Sequence, residues 1–96
     1  EEVFARQVES IGVSGDVLLC YSTSGTSKNI LRAAEMALSN NIVVIGFTGA
    51  TGGPLKEVAS AYYQSPSSET PVIQEHHTMG GHLICGTVEK ILEGSF

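Results

Sequence analysis

The chain contains Tyr21-Ser22-Thr23-Ser24-Gly25-Thr26-Ser27 between an apolar run over 16–20, typical of a buried strand, and an amphipathic helical pattern over 28–38. A strand-to-helix junction collects backbone N–H groups at the positive end of the helix dipole, which favours an anion such as phosphate. The hydroxyls add hydrogen-bond donors, and Gly25 allows the backbone to approach a ligand closely. The loop therefore predicts a phosphorylated small-molecule ligand. Serine and threonine also cap helices and close turns, which is the structural alternative.

Working outward from this loop, apolar runs alternate with helical patterns. The predicted strands are 16–20, 42–47 and 61–64, and the predicted helices are 2–11, 28–38, 54–59 and 71–93. Strands that are almost continuously apolar indicate an α/β fold, a parallel sheet with helices on both faces. Three strands leave the edges of such a sheet open, so we expect a partial domain that is completed by upstream sequence or by neighbouring subunits. In such sheets, ligands bind beyond the carboxyl ends of the strands, where 22–27 and 48–53 are expected to lie side by side.

Composition excludes several classes of partner and cofactor. The 96 residues carry a net charge of −5 without a run of either sign, which argues against a nucleic-acid surface. No apolar stretch approaches the length of a membrane span. Neither GxxxxGK[ST] nor a GxGxxG after a strand is present, so no nucleotide cofactor is expected. Cys20 and Cys85 are both interpreted as small core residues of a reduced, cytoplasmic protein.

Three motifs together resemble the sugar isomerase (SIS) family, with its flavodoxin-like, doubly wound fold. They are Asp16-Val17-Leu18-Leu19 followed by Ser22-Thr23-Ser24-Gly25-x-Ser27, then Phe47-Thr48-Gly49-x-x-Gly52-Gly53, then Ile73-Gln74-Glu75 with His77 and His82. The helix start with a histidine eight residues after Gln74 resembles the phosphoheptose isomerase branch. The resemblance implies a single SIS domain over 1–96 that lacks its N-terminal portion.

The resemblance also implies roles for individual residues. Thr26 departs from the usual Asn or Asp of the loop, at a position expected to tolerate change. His82 matches a catalytic acid/base or a zinc ligand, and Gln74 matches a substrate contact that also binds zinc in some members. The family's general base, a glutamate, lies in the half that this chain does not contain. The family's phosphate cradle matches Ser22, Thr23, Ser24 and Ser27.

The chemistry suits these residue types. An aldose–ketose isomerisation moves a proton between C1 and C2 through an enediol, and a histidine can move the proton between the two oxygens. A zinc ion is an alternative way to polarise the carbonyl. On a regular helix Gln74 and His82 are separated by a rise of about 12 Å, too far to share one metal. Either the helix is irregular near 71–74, or two copies of it meet in a site shared between subunits, in agreement with the homotetramer that the resemblance implies.

Simpler structural roles compete with these assignments. A lone histidine beside Met79 and Leu83 is usually a core or interface residue, and His76 is interpreted as structural. His77 is expected to orient its neighbours. The pair Gly80-Gly81 in mid-helix is costly and is explained by close packing of helices in an oligomer core.

Three functions remain open. The first is the conversion of sedoheptulose 7-phosphate into D-glycero-D-manno-heptose 7-phosphate for lipopolysaccharide precursors. The second is a non-catalytic tetrameric SIS scaffold like those that associate with the bacterial replication initiator. The third is a sugar-phosphate sensor, which normally carries a DNA-binding segment. His82 favours the enzyme, because the scaffold relatives tend to lose this histidine.

Overall fold

A computed structural model describes residues 2–94 and shows strands alternating with helices along the chain. The elements are α1 (Val3–Ile11), β1 (Val17–Tyr21), α2 (Lys28–Ser39), β2 (Val43–Thr48), α3 (Gly53–Val58), β3 (Ala61–Gln64) and α4 (Thr70–Glu93). Every predicted element is present, with ends that differ by a residue or two. None of the helices between residues 2 and 94 combines the length and the hydrophobicity needed to span a bilayer.

The three strands form one parallel sheet in the order β1-β2-β3. Leu19 is paired with Ile45, and Ile45 with Ala61, so all three carboxyl ends lie at the same edge. Helices cover both faces, which confirms the predicted fold class. Within the described residues, no strand pairs with the outer edge of β1 or of β3.

One face of the sheet carries the main hydrophobic core. α1 packs on α2, and α2 and α3 pack on the strands. The alternation of side chains along the strands directs Val44 and Cys20 to this face. The buried members of the core are Cys20, Ala34, Ala37, Ile42, Val44 and Leu55.

The other face of the sheet is aromatic and is covered by α4. Phe47 is fully buried, its ring stacks on Tyr21 with the centroids 4.5 Å apart, and Tyr63 meets it edge-on. A β-carbon added at Gly80 would lie 2.9 Å from Cε2 of Phe47, and one added at Gly81 would lie 2.8 Å from the hydroxyl oxygen of Tyr21. The glycine pair therefore lets α4 approach the aromatic rings of its own sheet. The expectation that these glycines serve helix–helix packing was wrong.

Much of the apolar surface of α4 is exposed. Met79 and Leu83 are 61% and 70% exposed, because they lie on the side of the helix that faces away from the sheet. Cys85 is also exposed, so its assignment to the core was wrong. The helical period correctly places α4, but only Ile73, His77 and Gly81 of this helix are buried.

Cys20 makes the stability of the core depend on pH. The side chain is 3% exposed, and burial raises the pKa of its thiol from 9.0 to about 11. Between these values the folded state keeps a proton that the unfolded state loses, so the free energy of unfolding falls as pH rises, by up to roughly 1.4 kcal/mol per pH unit. We expect Cys20→Ala to remove this part of the decline. Urea denaturation of both proteins from about pH 8 to about pH 10.5 tests it, and equal slopes would contradict it.

Two glycines in left-handed backbone provide a second test. Gly25 has φ +71 and Gly15 has φ +95. A β-carbon at Gly25 would overlap the carbonyl oxygen of Gly52, whereas one at Gly15 would meet nothing within 4 Å. We expect Gly15→Ala to lower the free energy of unfolding by about 1 kcal/mol through strain alone, and Gly25→Ala by about 3 kcal/mol or more. Denaturant titration measures both, and similar losses would show that the approach of the two loops is not rigid.

Candidate functional site

The loops that follow β1 and β2 are joined to each other through their backbones. The N–H of Gly49 donates to the carbonyl of Thr23, and the N–H of Leu55 donates to the carbonyl of Gly25, both at 3.0 Å. The expected side-by-side arrangement of 22–27 and 48–53 is therefore present at the carboxyl edge of the sheet.

Some of the loop hydroxyls close the turn. The Oγ of Ser22 accepts a 3.0 Å hydrogen bond from the N–H of Gly25, and the Oγ of Ser24 accepts one of 3.2 Å from the N–H of Thr26. Ser22 and Ser24 thus help to close the turn, and they do so as hydrogen-bond acceptors. Ser27 precedes α2 without capping it through its side chain. Within residues 2–94, no hydrogen bond engages the hydroxyl of Thr23 or Ser27.

These hydroxyls line a cavity of about 330 Å³, which we call the loop cavity. None of the described residues in its wall is an Asp, Glu, Lys or Arg. An anion bound here would meet neutral hydroxyls, among them that of Ser27, the residue that precedes α2. The lining residues are Tyr21, Ser22, Thr23, Ser24, Ser27, Gln74 and His77.

A second cavity of about 470 Å³, which we call the helix groove, runs along α4. It contains His82 and is lined by Tyr21, Gln74, His77, Thr78, Gly81, His82 and Cys85. The loop cavity and the helix groove share Tyr21, Gln74 and His77 as a common wall. The structure thus brings all the residues predicted for the site, Ser22, Thr23, Ser24, Ser27, Gln74 and His82, around two adjoining cavities.

His77 is fixed in the common wall. Its side chain is 4% exposed, and its Nε2 lies 2.9 Å from the carbonyl oxygen of Thr48. Because a carbonyl can only accept, Nε2 carries the hydrogen. The rings of Tyr21 and Phe47 lie against it, with centroids at 5.7 and 5.8 Å. This position agrees with the expectation that His77 orients its neighbours.

His76 occupies a different environment from His77. Its Nδ1 is 2.6 Å from the Oγ of Ser65, which is fully buried after β3. His76 lines neither the loop cavity nor the helix groove. Its contact ties the start of α4 to the end of the sheet, as expected of a structural residue.

Gln74 and His82 lie on the same helix and both line the helix groove. α4 is continuous from Thr70 to Glu93, so the expected irregularity near 71–74 is absent. Eight helical residues correspond to a rise of about 12 Å, which the two side chains and two metal–ligand bonds of about 2 Å each would together have to span. Among the described residues, no three His, Cys, Asp or Glu side chains are grouped so that they could hold a metal ion.

Sequence reasoning missed two parts of the common wall. Tyr21 was noted only as the start of the serine loop, although its ring lines both cavities. The contact of His77 with Thr48 joins residues 29 positions apart. A tyrosine at the end of a strand that precedes a phosphate-type loop is a signal that could have identified the first, but no local pattern indicates the second.

Comparison with curated proteins identifies phosphoheptose isomerases among the relatives. The chain is 46% identical over 94 residues to that of Burkholderia pseudomallei (strain K96243), covering 98% of this chain and 48% of the relative. It is 49% identical over 94 residues to phosphoheptose isomerase 2 of Campylobacter jejuni, covering 98% of this chain and 47% of the relative. The chain thus spans about half the length of the curated relatives it matches.

Solved structures and a family model agree with these matches. A phosphoheptose isomerase from Francisella tularensis superposes with a TM-score of 0.87 at 36% identity, and phosphoheptose isomerase GmhA from Neisseria gonorrhoeae with 0.88 at 34%. Each comparison covers 93% of this chain and 50% of the other. Residues 1–49 match the SIS domain model. The parallel sheet, the serine loop at its carboxyl edge and these matches lead to one conclusion: the chain belongs to the SIS domain family and is similar over nearly its whole length to phosphoheptose isomerases.

Proposed function

We propose that this chain forms part of an isomerase that converts sedoheptulose 7-phosphate into D-glycero-D-manno-heptose 7-phosphate, a precursor of lipopolysaccharide heptose. The observation that carries the proposal is the pair of adjoining cavities. One is lined by hydroxyls at the start of α2, and the other contains His82. The similarity to phosphoheptose isomerases supports the choice of substrate.

The loop cavity suits the phosphate end of the substrate. α2 is a helix of 12 residues, and its first backbone N–H groups have no partners within a regular helix. The hydroxyls of Thr23 and Ser27 supply two further donors. Because none of the described residues in the wall of this cavity is an Asp, Glu, Lys or Arg, recognition would depend on hydrogen bonds and the helix dipole.

The helix groove suits the reacting end of the substrate. The isomerisation needs a base that removes a carbon-bound proton and a second group that moves a proton between O1 and O2. An imidazole can both accept and donate a proton, so His82 fits the second task. The resemblance assigns the first task to a glutamate for which this chain has no counterpart.

We also propose a zinc ion, for which the described residues of one chain do not supply a full set of ligands. Since no three His, Cys, Asp or Glu side chains of the described residues are grouped to hold an ion, an ion bound by Gln74 or His82 needs further ligands from another copy or from outside the described residues. If a second copy approaches along α4, residues of two subunits would meet at the site. We therefore treat zinc as a component to be tested by chelation.

Self-association through α4, and a cytoplasmic location, complete the proposal. Met79 and Leu83 lie one turn apart and form an exposed apolar strip on the outward side of α4. A second copy that packs its own α4 on this strip would bury these side chains. The homotetramer implied by the resemblance would use such contacts.

The role of His82 is tested by His82→Asn in the complete protein that carries this chain. We expect the turnover of sedoheptulose 7-phosphate to fall at least about 100-fold, because a positioned acid/base contributes roughly 10²–10⁴-fold. His76→Asn is the matched control, because an asparagine can retain the bond to Ser65 outside both cavities. Turnover is measured with and without a chelator.

The outcomes of this assay separate the functional alternatives. Unchanged turnover in His82→Asn would exclude His82 from the mechanism. Loss of turnover on chelation, restored by zinc, would establish a metal requirement. Tight binding of the sugar phosphate by the wild-type protein without turnover would favour the sensor, and neither binding nor turnover would favour the scaffold.

The association through α4 is tested with Leu83→Asp. A carboxylate in an apolar contact is costly, so we expect the apparent association constant to fall roughly 30-fold or more. Ser14→Asp adds the same charge at an exposed turn and is the control. Analytical ultracentrifugation of the complete protein measures both. An unchanged oligomeric state in Leu83→Asp would show that this strip is not an interface.

A further inference from the structure

The wall between the loop cavity and the helix groove contains a tyrosine, Tyr21, that borders both cavities. Tyr21 is the last residue of β1. The ring is held by stacking on Phe47 at 4.5 Å and by a tilted contact with His77 at 5.7 Å. A side chain packed on two sides in this way presents its hydroxyl in a fixed direction.

The hydroxyl of Tyr21 occupies the space left by a missing side chain on α4. A β-carbon at Gly81 would lie 2.8 Å from this oxygen, but 3.9 Å from the nearest ring carbon. Within residues 2–94, no group forms a hydrogen bond with the oxygen, and Tyr21 remains 43% exposed. Gly81 therefore provides room for a hydroxyl that forms no hydrogen bond with any of the described side chains.

We infer that the Tyr21 hydroxyl is a specificity-determining group that hydrogen-bonds a mid-chain hydroxyl of a sugar phosphate. The inference rests on the proposed function. A substrate with its phosphate in the loop cavity and its reacting carbons near His82 must pass the common wall of the two cavities. There its secondary hydroxyls meet the phenol, which can donate to one and accept from another.

The polarity of the common wall supports a polyhydroxylated ligand. Besides Tyr21, the wall offers the amide of Gln74, which has both donors and an acceptor. The Nε2 of His77 already donates to the carbonyl of Thr48. The phenol of Tyr21 and the amide of Gln74 are therefore the groups of the wall that can bind a ligand. Neutral groups that can both donate and accept suit a chain of alcohol groups better than a second anionic group.

Tyr21→Phe in the complete protein removes the hydroxyl and keeps the ring stack. We expect kcat/KM for sedoheptulose 7-phosphate to fall roughly 3- to 10-fold, mainly through KM, as for the loss of one hydrogen bond between neutral groups. Competitive inhibition by inorganic phosphate should be unchanged, because the Tyr21 hydroxyl lies against Gly81, which lines the helix groove and not the loop cavity. Tyr63→Phe is the matched control, since Tyr63 also contacts Phe47 but lines neither cavity.

The results distinguish this inference from the proposed function. Equal effects of Tyr21→Phe and Tyr63→Phe, or a parallel loss of phosphate inhibition, would overturn the inference while leaving the isomerase in place. If the wild-type protein shows no turnover, the proposed function fails, and calorimetric binding of the same sugar phosphate and of phosphate gives the comparison instead. Failure of the wild-type protein to bind the sugar phosphate would overturn both.

Gly81→Ala supplies an independent test of the same contact. In the wild-type background the new methyl group displaces the Tyr21 hydroxyl, so we expect sugar-phosphate binding to weaken roughly 3- to 10-fold. In the Tyr21→Phe background the methyl group meets only ring carbon at an ordinary distance, and we expect no further loss. Losses of equal size in both backgrounds would show that Gly81 acts through the helix rather than through Tyr21.

Discussion

The structure depends on the direct contact between the backbones of two strand-end loops. The carbonyl of Thr23 accepts a hydrogen bond from Gly49 in the loop that follows β2, and the carbonyl of Gly25 accepts one from Leu55 in the first turn of α3. Contact this close requires glycine. A β-carbon added at Gly53, for example, would lie only 2.6 Å from the carbonyl oxygen of Ser24. Parallel pairing of β1 with β2 brings the loops together, and the glycines allow them to join. This contact holds the loop over 22–27, and with it the serine and threonine hydroxyls, at the carboxyl edge of the sheet.

The placement of strands and helices could be predicted because each depends on a local pattern. The β-branched run over 42–47 and the helical period of α2 are recognisable without knowing their neighbours. What covers a helix is not a local property. α4 has an apolar period throughout, yet Cys85 and Leu83 are exposed, because the period defines a face but not the surface that packs on it.

The candidate site was predictable to a similar extent. The serine loop and His82 follow from motif and resemblance, and the structure places them around adjoining cavities. The contacts that fix His77 in the wall between those cavities were not predictable, since Tyr21 and Thr48 come from distant parts of the chain. The pair Gly80-Gly81 is an example. Helix propensity shows only that two glycines destabilise a helix, whereas the space they leave is filled by the rings of Phe47 and Tyr21 from the sheet.

The fit of the Tyr21 hydroxyl against Gly81 also has an evolutionary consequence. The two residues share one volume, so a larger side chain at position 81 is compatible only with a smaller one at position 21. The sizes of these two positions should therefore vary in opposite directions among homologous chains that keep the same distance between α4 and the sheet. A larger residue at position 81 would then add no further cost once position 21 has lost its hydroxyl.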